Sequence, residues 1–264
     1  MEQTPAMFGE YKDLNDFKEK SGYTIDGVWY PRVTKIVTIK AKPALYRYYA
    51  EAASFRAAQE STEQSAREGT MIHEAVEALL LGKDHEIPLE VAPAVAAFRE
   101  FWSRNNIQVT PDTVERRIVN YDHRYAGTVD AIALIGGQLG VLDIKTSQSI
   151  YRDYCLQTSA YMDALKGQFR NLATRWILRI DQIQRCERCG AVRRVKGGRE
   201  KVRVDWKNGR AAMMRACTHS WGSLIGEIEL QEFPYWQNDF QAFLGAKRLW
   251  EWENDAWLKK AGYL

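Results

Sequence analysis

Asp130, Asp143 and Lys145 interrupt the stretch GTVDAIALIGGQLGVLDIKTS, residues 127–147. The stretch is otherwise apolar, like the interior of a sheet, and a buried strand normally excludes charge. Alternation along a strand places Asp143 and Lys145 on one face, about 6.6 Å apart along the chain, with Ile144 pointing the other way. Asp130 falls at the end of the neighbouring hairpin strand and can lie beside Asp143. Glu115, on the strand before, can join them. Carboxylates gathered at one sheet edge repel each other, and without a cation some are protonated. A divalent ion resolves the conflict: Mg²⁺ or Mn²⁺ prefers oxygen ligands, a few from protein and the rest from water and phosphate. Lys145 then adds a point charge suited to the negative charge that develops on a phosphate. A plain salt-bridge cluster, Asp143 with Lys145 and Asp130 with a nearby arginine, is the other use of the same residues.

A second group lies downstream. Cys186-x-x-Cys189-Gly190 has the shape of a zinc knuckle, in which glycine permits the tight turn, and Cys217-x-His219 supplies a second ligand pair. The residues between them read as a basic β-hairpin turning at Gly197-Gly198. Its Arg193, Arg194, Lys196, Arg199, Lys201 and Arg203 are placed to hold nucleic-acid phosphates. A structural Zn²⁺ would let so short an insertion fold without a core of its own. Incidental free thiols are the alternative.

These groups need elements to hold them. Residues 27–40 alternate and are β-branched, so they read as a strand or hairpin. Residues 43–60, with proline near the first turn, read as a helix. Residues 70–82 form a second, with an apolar stripe of Ile72, Ala75, Val76, Leu79 and Leu80 and with His73 at its margin. Residues 90–105 read as a third. Strands follow at 113–120, 125–135 and 139–147, the last two joined by a Gly136-Gly137 turn. A helix at 151–168 puts Gln157 and Tyr161 on one face, with Tyr154 beside them. The strand at 173–181 comes after that helix, which suits parallel pairing. A long helix, roughly 234–262, closes the chain. There Trp236, Phe240, Phe243, Trp250 and Trp257 recur at helical spacing, as the core face of a terminal helix does; base stacking is the rarer use. The fold class is α/β or α+β, a small mixed sheet flanked by helices. The domain reading is N-terminal helices and a core over 1–183, a Cys/His basic insertion over 184–222 and a helix completing the core over 223–264.

Composition agrees with this class. The 264 residues are 45% hydrophobic and 27% charged, enough for one sizeable core. No apolar run approaches the ~20 residues of a membrane span, and the start lacks a signal-peptide pattern, so a cytoplasmic protein is expected. The net charge of +3 hides an asymmetry: residues 185–215 alone carry +8, leaving −5 for the remainder. A polyanion partner is one explanation and a solvated surface hairpin the other.

The pieces GTMIHEAVEALL (His73), VERRIV (Glu115), YAGTVDAIAL (Asp130), VLDIKTS (Asp143, Lys145) and YCLQTSAYMDAL (Gln157, Tyr161) run in one order over residues 69–165. Together they resemble the PD-(D/E)xK nuclease superfamily, in its RecB-type and phage-exonuclease-like branch. YPRVTKIV (30–37) resembles the lead-in of that branch. The resemblance implies a restriction-endonuclease-like core and a Mg²⁺- or Mn²⁺-dependent deoxyribonuclease, exonucleolytic in kind, acting in DNA repair or recombination. It implies Asp130, Asp143 and the Ile144 backbone carbonyl as metal ligands, with His73 as an additional one. Lys145 would orient the attacking water or hold transition-state charge, Glu115 would be an outer ligand or a water-positioning group, and Gln157 and Tyr161 would support the site and contact substrate. DNA is the implied partner, with a recombination or single-strand-binding protein as a further one. A nuclease fold that only holds nucleic acid is the competing reading. Some relatives in this branch carry an iron–sulfur cluster on four cysteines, one before the nuclease motifs; here no cysteine precedes Cys155.

Overall fold

A computed structural model describes residues 11–203 and 216–264. The basic residues at 204–215 lie outside the described part. The chain is a mixed α+β protein whose central sheet, mostly antiparallel, is flanked by helices on both faces.

The chain opens with α1 (Leu14–Ser21), capped by the Asp13 side chain on Asp16 N, and the hairpin β1 (Gly22–Ile25) and β2 (Val28–Pro31). Next come α2 (Val33–Val37), α3 (Pro43–Glu51), α4 (Phe55–Leu80) and α5 (Ala92–Arg104). The sheet strands are β3 (Val114–Asn120), β4 (Tyr125–Ile135) and β5 (Gln138–Lys145), followed by α6 (Asp153–Leu165) and β6 (Leu172–Arg185). The hairpin β7 (Val192–Lys196) and β8 (Arg199–Arg203), then β9 (Ile225–Glu232), α7 (Gln237–Glu253) and α8 (Asp255–Lys260), complete the chain.

Three expectations are corrected. Residues 27–40 are not strand throughout: β2 ends at Pro31 and Val33–Val37 is helical. Val33, Ile36 and Val37 fall at helical spacing and are buried in the core, so packing overrides their β-branched preference. The helix expected at 43–60 is broken at Ala52–Ser54, because the Ser54 side chain caps a new helix by accepting from Ala57 N at 3.1 Å. That new helix runs unbroken into the one expected at 70–82, giving the 26-residue α4. The terminal helix is likewise divided at Asn254.

In the sheet, β3–β4 and β4–β5 are antiparallel, β5–β6 is parallel, and β9 runs antiparallel to β6 on its other edge. The helix between β5 and β6 provides the crossover a parallel pair requires. Gly136 and Gly137, at φ +58° and +84°, make the tight β4–β5 turn. One sheet face packs Val129, Ile132 and Val141 against Tyr161, Phe240, Phe243 and Trp250. The other packs Leu142, Ile144 and Leu178 against Ile72, Val76 and Phe98 of α4 and α5. The aromatic repeat near the C-terminus is thus core: Phe240, Phe243 and Trp250 are buried, and Trp236 and Trp257 pack beside them.

Candidate active site and cysteine knuckle

On β5 the alternation sends Val141 to the α6 side and Leu142 and Ile144 to the α4 side. Asp143 and Lys145 therefore share the α6 face. Asp143 is fully buried. Its Oδ2 lies 2.6 Å from Lys145 Nζ, and its Oδ1 accepts from Gln157 Nε2 at 2.9 Å. The same Gln157 amide lies 3.0 Å from the Tyr161 hydroxyl, as their i, i+4 spacing on α6 allows. Tyr161 in turn fits against Gly127, where a Cβ would stand 2.6 Å from the ring. Tyr154, one turn before Gln157, lies beneath Lys145, whose Nζ is 5.1 Å from the ring centroid.

On β4 the alternation slips. Val129 and Ile132 both join the α6-side core while Ala131 joins the other. The register pairs Val114 with Ala131 and Arg116 with Val129, which sets Glu115 against Asp130. Glu115 takes a positive φ of +47°, rare for a residue with a side chain. This irregularity turns both acids toward the end of β5, where Asp130 Oδ2 accepts from Ile144 N at 2.5 Å.

The electrostatics follow from the crowding. Burial, then the Asp130 charge, push the Asp143 carboxyl up to about 6 against the pull of Lys145. Burial raises Asp130 too, with Glu77 adding repulsion. Glu115 is driven up to about 7 by desolvation, Asp130 and Glu77. The Tyr161 hydroxyl is held far above its usual range by burial and both aspartates. His73 is lowered, first by burial and then by the Lys145 charge, while a hydrogen bond to the Ile144 backbone opposes this. The structure thus brings His73, Glu115, Asp130, Asp143, Ile144, Lys145, Gln157 and Tyr161 to one place.

Glu77 is the member that sequence reasoning missed. It lies four residues after His73 on α4, so their shared helix face was the available signal. The donors are hard oxygens plus one imidazole, and the near partner of the buried Asp143 Oδ2 is the Lys145 ammonium. That chemistry fits Mg²⁺ or Mn²⁺. The carboxylates are nevertheless looser than the cysteines: among the described residues only the Cys/His quartet brings three or more such ligand atoms within 4.8 Å of one another.

That quartet is Cys186, Cys189, Cys217 and His219. Cys186 Sγ is 3.9 Å from Cys217 Sγ, and Cys189 Sγ is 3.4 Å from His219 Nδ1. A tetrahedral zinc site separates its ligand atoms by about 3.5–3.8 Å, so the group can hold an ion such as zinc. The knuckle turn is closed by Gly190 N on Cys186 O at 2.8 Å, and Glu187 N on Ser220 O at 2.9 Å ties it to the second ligand pair. Burial raises the Cys186 thiol, but the backbone of Cys189 and the His219 side chain outweigh it and bring it down to about 5. Burial and the neighbouring Cys189 and Cys186 raise Cys217 to about 11, so the cluster holds protons that a bound ion would displace.

The basic hairpin leads back to the first site. Its β7–β8 register pairs Arg194 with Lys201 and Lys196 with Arg199, so those cations share one face. Arg194 meets Asp181 at 2.5 Å and donates to Thr146 O at 3.1 Å. Lys196 Nζ donates to the same carbonyl at 2.5 Å, and Arg203 to Gln148 O at 2.8 Å. Burial and the Arg194 charge lower Lys196 to about 8. Arg193 points the other way, to Gln184, Glu200 and the Trp221 ring, and does not join this face. A cleft of about 470 Å³ lies between the hairpin, α4 and the end of β5; Lys145 and His73 reach it, as do Arg194, Lys196, Arg199 and Lys201.

No protein-family model matches the chain, and no curated protein matches it. Among the described residues no helix is long and apolar enough to cross a membrane.

Proposed function

We propose that the chain is a Mg²⁺- or Mn²⁺-dependent deoxyribonuclease with a restriction-endonuclease-like core of the PD-(D/E)xK kind. The observation that supports this most is the burial of Asp143 beside Asp130, paired with Lys145, which itself lines a cleft whose walls are cationic. Burying carboxylates together is costly, and a purely structural strand end has no need of them. Asp130, Asp143, the Ile144 carbonyl and His73 would hold the ion, with Glu115 and Glu77 outside them. The ion would supply an acidified water and neutralise phosphate charge.

The remaining work falls to the chain. Gln157 fixes the Asp143 carboxylate through Oδ1, and Tyr161 fixes Gln157. Lys145 stands where a phosphate oxygen entering the cleft meets a positive charge. Hydrolysis joins a water oxygen to phosphorus and breaks the ester bond, and the departing oxygen leaves with a proton. The Cys/His quartet is read as a structural zinc site that shapes the hairpin, and DNA as the substrate.

Asp143→Ala is expected to lower divalent-dependent cleavage of DNA by on the order of 10³-fold while circular dichroism stays native. Equal activity in wild type and variant would sink the site assignment. A wild type that binds DNA and never cleaves it, with either ion, would leave the binding-module reading in its place.

A further inference from the structure

The hairpin cations that line the cleft are not alike. Arg194 is spent on Asp181 and on the Thr146 carbonyl. Arg199 and Lys201 are exposed. Lys196 is partly buried, and among the described residues it forms no ion pair with a carboxylate. Its acceptor is the neutral Thr146 O, at 2.5 Å.

The backbone that carries Lys196 is pinned on both sides. The next residue, Gly197, makes the hairpin turn at φ +61° and lies against α4. Ser61 donates to Gly197 O at 2.7 Å, and Gly197 N donates to Glu68 Oε1 at 2.9 Å. A Cβ at 197 would stand 2.3 Å from Ser61 O, so only glycine permits the approach. Facing the ammonium, α4 offers bare backbone: a Cβ on Gly69 would stand 2.7 Å from Thr146 Oγ1 and 3.8 Å from Lys196 Nζ. Gly69 is four residues before His73 on α4, on the same helix face, and Thr146 directly follows Lys145. The Lys196 ammonium thus enters the cleft at the end that His73 and Lys145 also reach.

Such a placement is costly. Taking an ammonium from water is repaid only in part by a neutral carbonyl. Burial and the adjacent Arg194 both disfavour its charged form. Lys145, by contrast, is already matched by Asp143 at 2.6 Å. Beside His73 the cleft therefore holds a fixed cation that no protein anion meets, and a phosphate oxygen is the anion that the proposed reaction brings.

We infer that Lys196 is a second catalytic cation, supplied by the Cys/His insertion, whose ammonium holds a non-bridging oxygen of the reacting phosphate. It keeps its proton throughout, so the bonds made and broken in the hydrolysis are unchanged. The inference rests on the nuclease reading and sets Lys196 apart from the exposed cations, which would only grip DNA.

The test uses full-length, zinc-loaded protein and three replacements at one position. Lys196→Met removes the charge, Lys196→Gln removes it but keeps a donor for Thr146 O, and Lys196→Arg keeps the charge. All three should retain native circular dichroism and zinc content. With Mn²⁺ and saturating DNA, offered single-stranded and as a duplex, the Met and Gln replacements should each lower the cleavage rate about 10²-fold, and Arg should restore most of it. Lys201→Met should instead raise KM. A Gln variant as fast as wild type would make Lys196 a mere tie for Thr146, and a Met variant with only KM raised would make it a peripheral contact; either result overturns the inference. If the Met variant does not fold, the Gln and Arg pair decides. Fluorescence anisotropy on fluorescein-labelled DNA without divalent ions reads the contact apart from the chemistry: Lys196→Met should weaken binding and lower the salt slope by about 1. A wild type that never cleaves, with that loss of binding present, removes the nuclease and keeps the phosphate contact. A wild type that cleaves, with neither rate nor slope moved by Lys196→Met, keeps the nuclease and removes Lys196 from its site.

Discussion

The two candidate metal centres are held by opposite means. The carboxylate site lies between two large cores, with Val141 and Tyr161 on one side of the sheet and Leu142 and Ile144 on the other. The cysteine knuckle has only Cys186, Cys189 and Ala191 buried together, with Cys217 and Trp221 beside them. In the first, the scaffold forces repelling acids into place and tolerates their cost because the surrounding packing is over-determined. In the second, the ligands are most of the core, and an ion would contribute the folding energy itself. The difference predicts which site collapses when its ion is withheld.

The largest effect should come from the knuckle. Replacing Cys186 and Cys189 with Ser is expected to lower bound zinc from about one ion per chain to none, read by elemental analysis. The hairpin should then become open to limited proteolysis between residues 186 and 222, while the main thermal transition, set by the two sheet cores, moves little. A wild type without zinc, or a variant whose whole fold melts with the knuckle, would break the contrast. Withholding Mg²⁺ and Mn²⁺, by comparison, should leave the proteolytic pattern unchanged.

A smaller effect probes the scaffold of the acidic site. Gly127→Ala places a methyl 2.6 Å from the Tyr161 ring, so the ring must shift. Its hydroxyl then leaves Gln157, and Gln157 leaves Asp143. A displacement of about 1 Å can cost roughly 10²-fold in rate. Cleavage rate at saturating DNA should fall by that order with zinc content unchanged. Unaltered cleavage would mean that the α6 residues pack the sheet and do not position Asp143.

Much of this contrast was legible in the sequence. The strands at 113–120 and 125–135 and the helix around Gln157 lie within a few residues of where the sequence pattern puts them, although the alternation slips along β4. The Cys186–Cys189 and Cys217–His219 pairs were legible because metal-ligand spacing is local. What escaped depends on distant partners. Glu77 lies on a helix whose apolar stripe explains the segment without it, and only the fold brings it near Asp130 and Glu115. Arg175 looks like an ordinary strand charge, yet it is fully buried and donates to Cys155 O and Phe233 O across the crossover. The two-sided fastening of the hairpin was also invisible, since Ser61 and Glu68 lie more than a hundred residues from Gly197. The hairpin's cations read as a surface for DNA; the register turns Arg193 away from the others.

The smallest effect separates a scaffold-held site from a ligand-held one by pH alone. Desolvation, Asp130 and Glu77 raise Glu115 from 4.5 in the unfolded chain to about 7 in the folded one. The folded state therefore binds this proton more tightly, and below pH 4.5 the group costs nothing because it is protonated in both states. The penalty develops as pH rises from 4.5 toward 7 and is complete above 7. In the absence of divalent ions the melting temperature should thus fall over that window, apart from other titrations, and Glu115→Gln should flatten the fall and melt higher than wild type at pH 8. Saturating Mn²⁺ should give wild type a similar gain at pH 8, since an ion beside Asp130 offsets the same repulsion. If Glu115→Gln melts lower than wild type at pH 8 without the ion, the acids are stabilising partners of the fold, and the scaffold is not holding them against their own repulsion.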